Sequence, residues 1–110
     1  MLGARLYLAQ RISALIMAPL VIGHLVMMIY AIQGGLDASE ILGRTRGSVS
    51  WAMFYSVFVA AVSVHAAIGL RVVAGEHLKI EGRTLDWMAW GIGLILFGLG
   101  CRAVAAVVLA

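Results

Sequence analysis

The stretch ISALIMAPLVIGHLVMMIYAI, residues 12–32, decides the fold: it runs for 21 residues without a formal charge. A helix of about 18 to 20 apolar residues suffices to cross a bilayer. Two further stretches behave in the same way. Residues 49–70 carry no formal charge, and residues 87–110 are interrupted only by Arg102. Hydrocarbon offers no partners to backbone amides, so each stretch must satisfy its own hydrogen bonds as a helix. The sequence therefore predicts an all-α integral membrane chain with three transmembrane helices, over about 12–32, 49–73 and 85–109. All of it belongs to one domain, 1–110. The first span is longer than the 7–15 apolar residues of a typical signal peptide and is followed by no small-x-small cleavage site, so it is expected to stay in place.

Composition supports this reading. The 110 residues are 64% hydrophobic and 12% charged, whereas an ordinary soluble domain carries about a quarter charged residues. Disorder needs the opposite balance. The net charge of +3 does not indicate nucleic acid, because the basic residues are spread along the chain. A single cysteine, Cys101, cannot form an internal disulfide and reads as a packing residue.

Gln33-Gly34-Gly35 marks the end of the first helix. Asp37-Ala-Ser-Glu40 has capping-box spacing and predicts a short surface helix over 37–43. Gly75 is expected to loosen the end of the second span. Thr84 is expected to cap the third, with Asp86 favoured by the dipole of its first turn. Trp51 and Trp87 stand at span ends, where interfacial anchors belong. Orientation follows the basic residues. Arg5, Arg11, Arg71, Lys79 and Arg83 lie on one side, against Arg44, Arg46 and Arg102 on the other. The positive-inside rule then expects a cytoplasmic N-terminus and a C-terminus outside.

A polar side chain inside a bilayer is costly and marks a functional candidate. His65 lies six residues before Arg71, about 9 Å from the end of its helix. Small residues, Ala61 and Gly69, flank it one turn away on the same face. That leaves room for a flat ligand such as haem, whose commonest protein donor is neutral imidazole. The alternative is a histidine hydrogen-bonded to a neighbouring helix. His24 lies about 20 Å from the same end, so the two histidines differ in depth by about 11 Å. One iron needs its two axial nitrogens only about 4 Å apart. His65 would therefore take its axial partner from another chain, and His24 reads as a hydrogen-bonding residue.

Arg11 opens the first span and suits a haem propionate or a quinone carbonyl, or simply a positive-inside anchor. Ser13 shares the stripe of His24 and is a candidate for quinone contact, or for a bond back to its own helix. Glu76-His77 could relay protons at the membrane edge or form a solvated loop pair, and Arg102 is placed to snorkel.

Two segments taken together, Gln10-Arg11-Ile12-Ser13 and His65-Ala-Ala-Ile-Gly69-Leu-Arg71, resemble the membrane anchors of succinate dehydrogenase and fumarate reductase. Those anchors have three transmembrane helices, a (His or Gln)-Arg-x-(Ser or Thr) segment at the first and a His-x-x-x-Gly motif near the end of the second. Gln10 and Pro19 are more like the small hydrophobic anchor, and Arg71 more like the cytochrome b anchor. The resemblance implies that His65 is an axial ligand of haem b, with the second ligand from a partner anchor, and that Arg11 and Ser13 lie near propionate or quinone. Glu76-His77 stands where the small anchor has Asp-Tyr, and Tyr7 where the cytochrome b anchor often has serine.

The resemblance further implies a flavoprotein, an iron–sulfur protein and a second membrane anchor as partners, in a bacterial cytoplasmic membrane, with electrons passing to quinone. The chain itself has no dinucleotide motif, cysteine cluster or nucleophile–base arrangement. Its expected contribution is docking surface, half of a haem site and part of a quinone pocket. The rivals are a haem-free structural anchor and a small transporter. The second is disfavoured because all five acids are expected in the loops, where none can serve as a buried coupling acid.

Overall fold

The computed structural model describes residues 3–109. Four helices account for nearly all of them: α1 (Ala4–Gln33), α2 (Ala38–Thr45), α3 (Val49–His77) and α4 (Gly82–Val108). The three long helices are each long and apolar enough to cross a membrane. The molecule measures 47 Å along its long axis, close to the roughly 40–45 Å of a bilayer with its headgroups.

The helices outrun the hydropathy-based limits mainly at one end of the bundle. α1 begins at Ala4 rather than near residue 12, α3 continues to His77 rather than 73, and α4 starts at Gly82 rather than 85. Hydropathy marks only the hydrocarbon layer. Beyond it Arg5, Gln10 and Arg11 remain helical, because the backbone ladder continues across the interface. Pro19 lies inside α1, which continues through it. Three of the five acids, all expected in loops, lie on helices instead: Glu40 in α2, Glu76 at the end of α3 and Asp86 near the start of α4.

Several expected punctuation marks act differently. α1 ends at Gln33 as anticipated, with Gly35 at φ +92° and the Leu36 amide donating to the Ala31 carbonyl at 3.0 Å. Asp37 caps α2 by accepting from the Ser39 amide at 3.1 Å. The reciprocal arm of the capping box is missing, because Glu40 pairs with Arg44 one turn later at 2.5 Å. α2 therefore runs to Thr45, beyond Gly43. Gly75 does not loosen α3; it lies inside the helix and makes space for Leu85, whose Cδ2 is 3.5 Å from where a Cβ would stand. Thr84 does not cap α4. Gly82, at a φ of +67° that glycine adopts readily, turns the chain into the helix earlier.

α3 is the central helix and carries the two main packing interfaces, one with α1 and one with α4. Its buried positions are Ala61, Ser63, Ile68 and Ala74. Helices in lipid gain no hydrophobic drive from meeting, so small residues that permit close approach decide where they pack. On α4, Gly93 and Gly100 provide that approach. A methyl at Gly93 would lie 3.2 Å from the Ala67 Cβ, and one at Gly100 would overlap Val59. Gly91 and Gly98 face open space. At the opposite end α2 ties the bundle together. The Gly47 amide donates to the Val108 carbonyl at 2.8 Å, and the buried Thr45 hydroxyl donates to the Val107 carbonyl at 2.7 Å. These bonds satisfy carbonyls that the last turn of α4 would otherwise leave without partners.

Gly100→Ala is expected to destabilise the bundle by about 1–3 kcal/mol through overpacking against Val59, while Gly98→Ala leaves it unchanged. Denaturation of the two variants in mixed micelles separates them, and equal midpoints would contradict this packing.

Candidate functional site: a histidine held between α1 and α3

The two segments singled out in the sequence meet at one level of the α1–α3 interface. Ser13 is buried there, with 5% of its surface exposed. Its hydroxyl donates to the Gln10 carbonyl one turn back at 3.0 Å and lies 3.4 Å from Nδ1 of His65 on α3. One turn further along α3, Gly69 leaves room for the Gln10 side chain, whose Nε2 stands 3.5 Å from where a Cβ would be. Gln10 Oε1 is enclosed without a hydrogen-bond partner among the described residues. A helix brings Gln10 and Ser13 to one face because they are three residues apart. The same rule places His65 and Gly69 together on α3.

Nδ1 is the only His65 ring atom with a hydrogen-bond partner among the described residues. The His65 residue as a whole is only partly buried. His24 is different. Its ring lies 5.2 Å from Phe58 and edge-on to Tyr55 at 6.1 Å, and its Nδ1 is enclosed without a partner among the described residues. It borders a cavity of ≈ 370 Å³ at the far end, shared with Met27, Arg44 and Tyr55. Phe58 is seven residues before His65, which places His24 about 10 Å from the level of His65. This agrees with the depth difference expected from the sequence.

Arg11 does not join His65. Two residues from Ser13, it lies on nearly the opposite side of α1. Its side chain is exposed, with Nη1 3.3 Å from the Tyr7 hydroxyl and the guanidinium 5.8 Å from the centre of the Tyr7 ring. Glu76 and His77 are exposed at the end of α3, and Arg102 is exposed near the other end of α4.

Two features were missed in the sequence. Arg71 forms an ion pair with Asp86 across the turn between α3 and α4. The helix dipole alone accounts for Asp86 in the sequence, whereas opposite charges flanking a short helical hairpin are the signal that points to the pair. The second feature is an open apolar groove of ≈ 640 Å³ between α3 and α4, bordered by Leu6 and Ala9 of α1. Arg71 and Asp86 stand at its polar end, and Trp90, Gly93 and Phe97 line its wall.

These features define a three-span membrane subunit with a histidine held at a helix interface near one end. The family model of the succinate dehydrogenase/fumarate reductase transmembrane subunits matches residues 1–100, and the chain belongs to that family. It is thus a membrane subunit of an oxidoreductase complex that works with catalytic subunits at a lipid membrane. No curated protein and no solved structure gives a significant match.

The Arg71–Asp86 pair is partly exposed, so its contribution to stability is expected to stay below about 1 kcal/mol. A double-mutant cycle of Arg71→Gln and Asp86→Asn measures this, and a coupling well above that value would show a desolvated pair.

Proposed function

We propose that this chain is a haem b-binding anchor of a bacterial succinate dehydrogenase or fumarate reductase. It would dock the flavoprotein and iron–sulfur subunits and help to form the quinone site. The observation that carries this reading is the meeting of Gln10, Ser13, His65 and Gly69 at one level of the α1–α3 interface. Two motifs more than 50 residues apart converge on a single imidazole.

The residues fit the group. His65 has one ring nitrogen against a hydroxyl and the other without a hydrogen-bond partner among the described residues, which suits a metal-binding imidazole. His65 would hold the iron from this chain, and a partner anchor would supply a second ligand, since His24 lies a further 10 Å or so along the bundle. Haem b, when bound, supplies a one-electron store within the membrane. The apolar faces of α1 and α3 exclude water from its surroundings and so influence its potential. Arg11 places a permanent cation at the membrane edge, suited to a propionate or a quinone carbonyl. It faces away from His65, so it would serve the surface that meets the other subunits. Arg5, Lys79 and Arg83 are exposed at this same end. Under the positive-inside rule that end is cytoplasmic, and it is where the soluble subunits would dock.

The test is a reduced-minus-oxidised absorption spectrum of the complex purified through a tag on this chain. The expected result is a b-type signal in the wild type that is lost in His65→Ala. An unchanged signal in the variant would move the ligand to another residue, and no haem in either preparation would favour the haem-free structural anchor.

A further inference from the structure

We propose that Ser13 is a positioning residue for His65. Its hydroxyl fixes the tautomer and the orientation of the imidazole so that Nε2 presents its lone pair. The inference rests on the reading of His65 as a haem ligand and goes one shell outward from it.

The hydrogen-bond directions carry the argument. A serine hydroxyl has one proton to donate and two lone pairs with which to accept. Ser13 donates its proton to the Gln10 carbonyl at 3.0 Å. Towards His65 Nδ1, at 3.4 Å, it can therefore only accept. The ring proton then belongs on Nδ1, and in neutral imidazole this leaves Nε2 unprotonated and free to bind a metal. Metal-binding histidines characteristically donate their second ring N–H to an oxygen, which sets the tautomer and raises ligand basicity. Here that oxygen is fixed by its own helix, on a residue that is 5% exposed.

Two comparisons within the chain separate this role from ordinary packing. Ser63 is equally buried in α3, and its hydroxyl donates to the Val59 carbonyl at 2.7 Å, with no second partner among the described residues. It does only what a serine within a helix does for itself. His24 is the other histidine within a span, and neither of its ring nitrogens has a hydrogen-bond partner among the described residues. Among the described residues, only at Ser13 and His65 do a buried hydroxyl and a ring nitrogen meet, and they come from the two separate motifs.

The experiment uses the complex purified through a tag on this chain, with Ser13→Thr, Ser13→Val and His65→Ala beside the wild type. Threonine and valine add the same bulk at position 13, and only threonine keeps the hydroxyl. The readouts are haem content, the midpoint potential of the haem and the g values of its oxidised form. His65→Ala should lose the haem. Ser13→Thr should match the wild type. Ser13→Val should raise the midpoint potential, because a less basic imidazole favours the ferric state less, and should shift the g values as the ring is freed to rotate. It should also loosen haem retention by about 10-fold or more. Loss of haem in Ser13→Val with retention in Ser13→Thr supports the proposal equally. The same potential and g values in the threonine and valine variants, with haem lost in His65→Ala, would overturn the role of Ser13 alone. Haem retained in His65→Ala would overturn the ligand assignment beneath it.

Discussion

The architecture depends on how closely α1 and α4 can approach α3. In lipid the faces of a helix gain nothing from hiding apolar surface, so contact must come from close van der Waals fit and a few polar bonds. α3 meets that condition on two sides. Its buried positions include Ala61, Ser63 and Ala74, and Ala67 and Val59 receive the bare backbone of Gly93 and Gly100 on α4. Large residues such as Leu15, Ile22, Trp87, Trp90 and Leu94 are left facing outward, where lipid or partner subunits are the solvent. No side chain larger than isoleucine is buried among the described residues. The bundle is held by what its interfaces lack in bulk.

That constraint also builds the site. Because α1 can lie close to α3, a short side chain on one helix can reach a ring on the other, and Ser13 approaches His65. The same closeness brings Gln10 over Gly69. A side chain longer than a methyl at position 69 would displace Gln10 and press the helices apart. The ends of the bundle are secured by polar contacts instead: Arg71 with Asp86 at one end, and Thr45 and Gly47 with the last carbonyls of α4 at the other. Each ties a connecting segment or hairpin to a helix end, which keeps three helices in register without a large core.

Much of this was legible in the sequence. The three spans follow from charge-free length alone, since the bilayer allows only one backbone solution there. The separation of His24 from His65 follows from helical rise, because antiparallel rods leave little else to vary. The helix ends were less legible. Gly75 and Thr84 carry the usual signals for a break and a cap, but Leu85 fills the space at Gly75 and the left-handed turn at Gly82 starts α4 before Thr84. Glu40 fits a capping box by spacing but finds Arg44 one turn on. The opposite facing of Arg11 and Ser13 was available from their spacing of two. The partner of Ser13 was not, because the bond to His65 depends on how α1 rotates against α3, which no local signal fixes.

The central claim is that this chain holds haem within a complex that oxidises succinate or reduces fumarate. Native mass spectrometry of the assembly captured gently through a tag on this chain tests it most directly. The account predicts a complex containing this chain, a second anchor, a flavoprotein and an iron–sulfur protein, together with the mass of a haem. An assembly lacking both the flavoprotein and the iron–sulfur protein, or one complete in its subunits but without the mass of a haem, would contradict it.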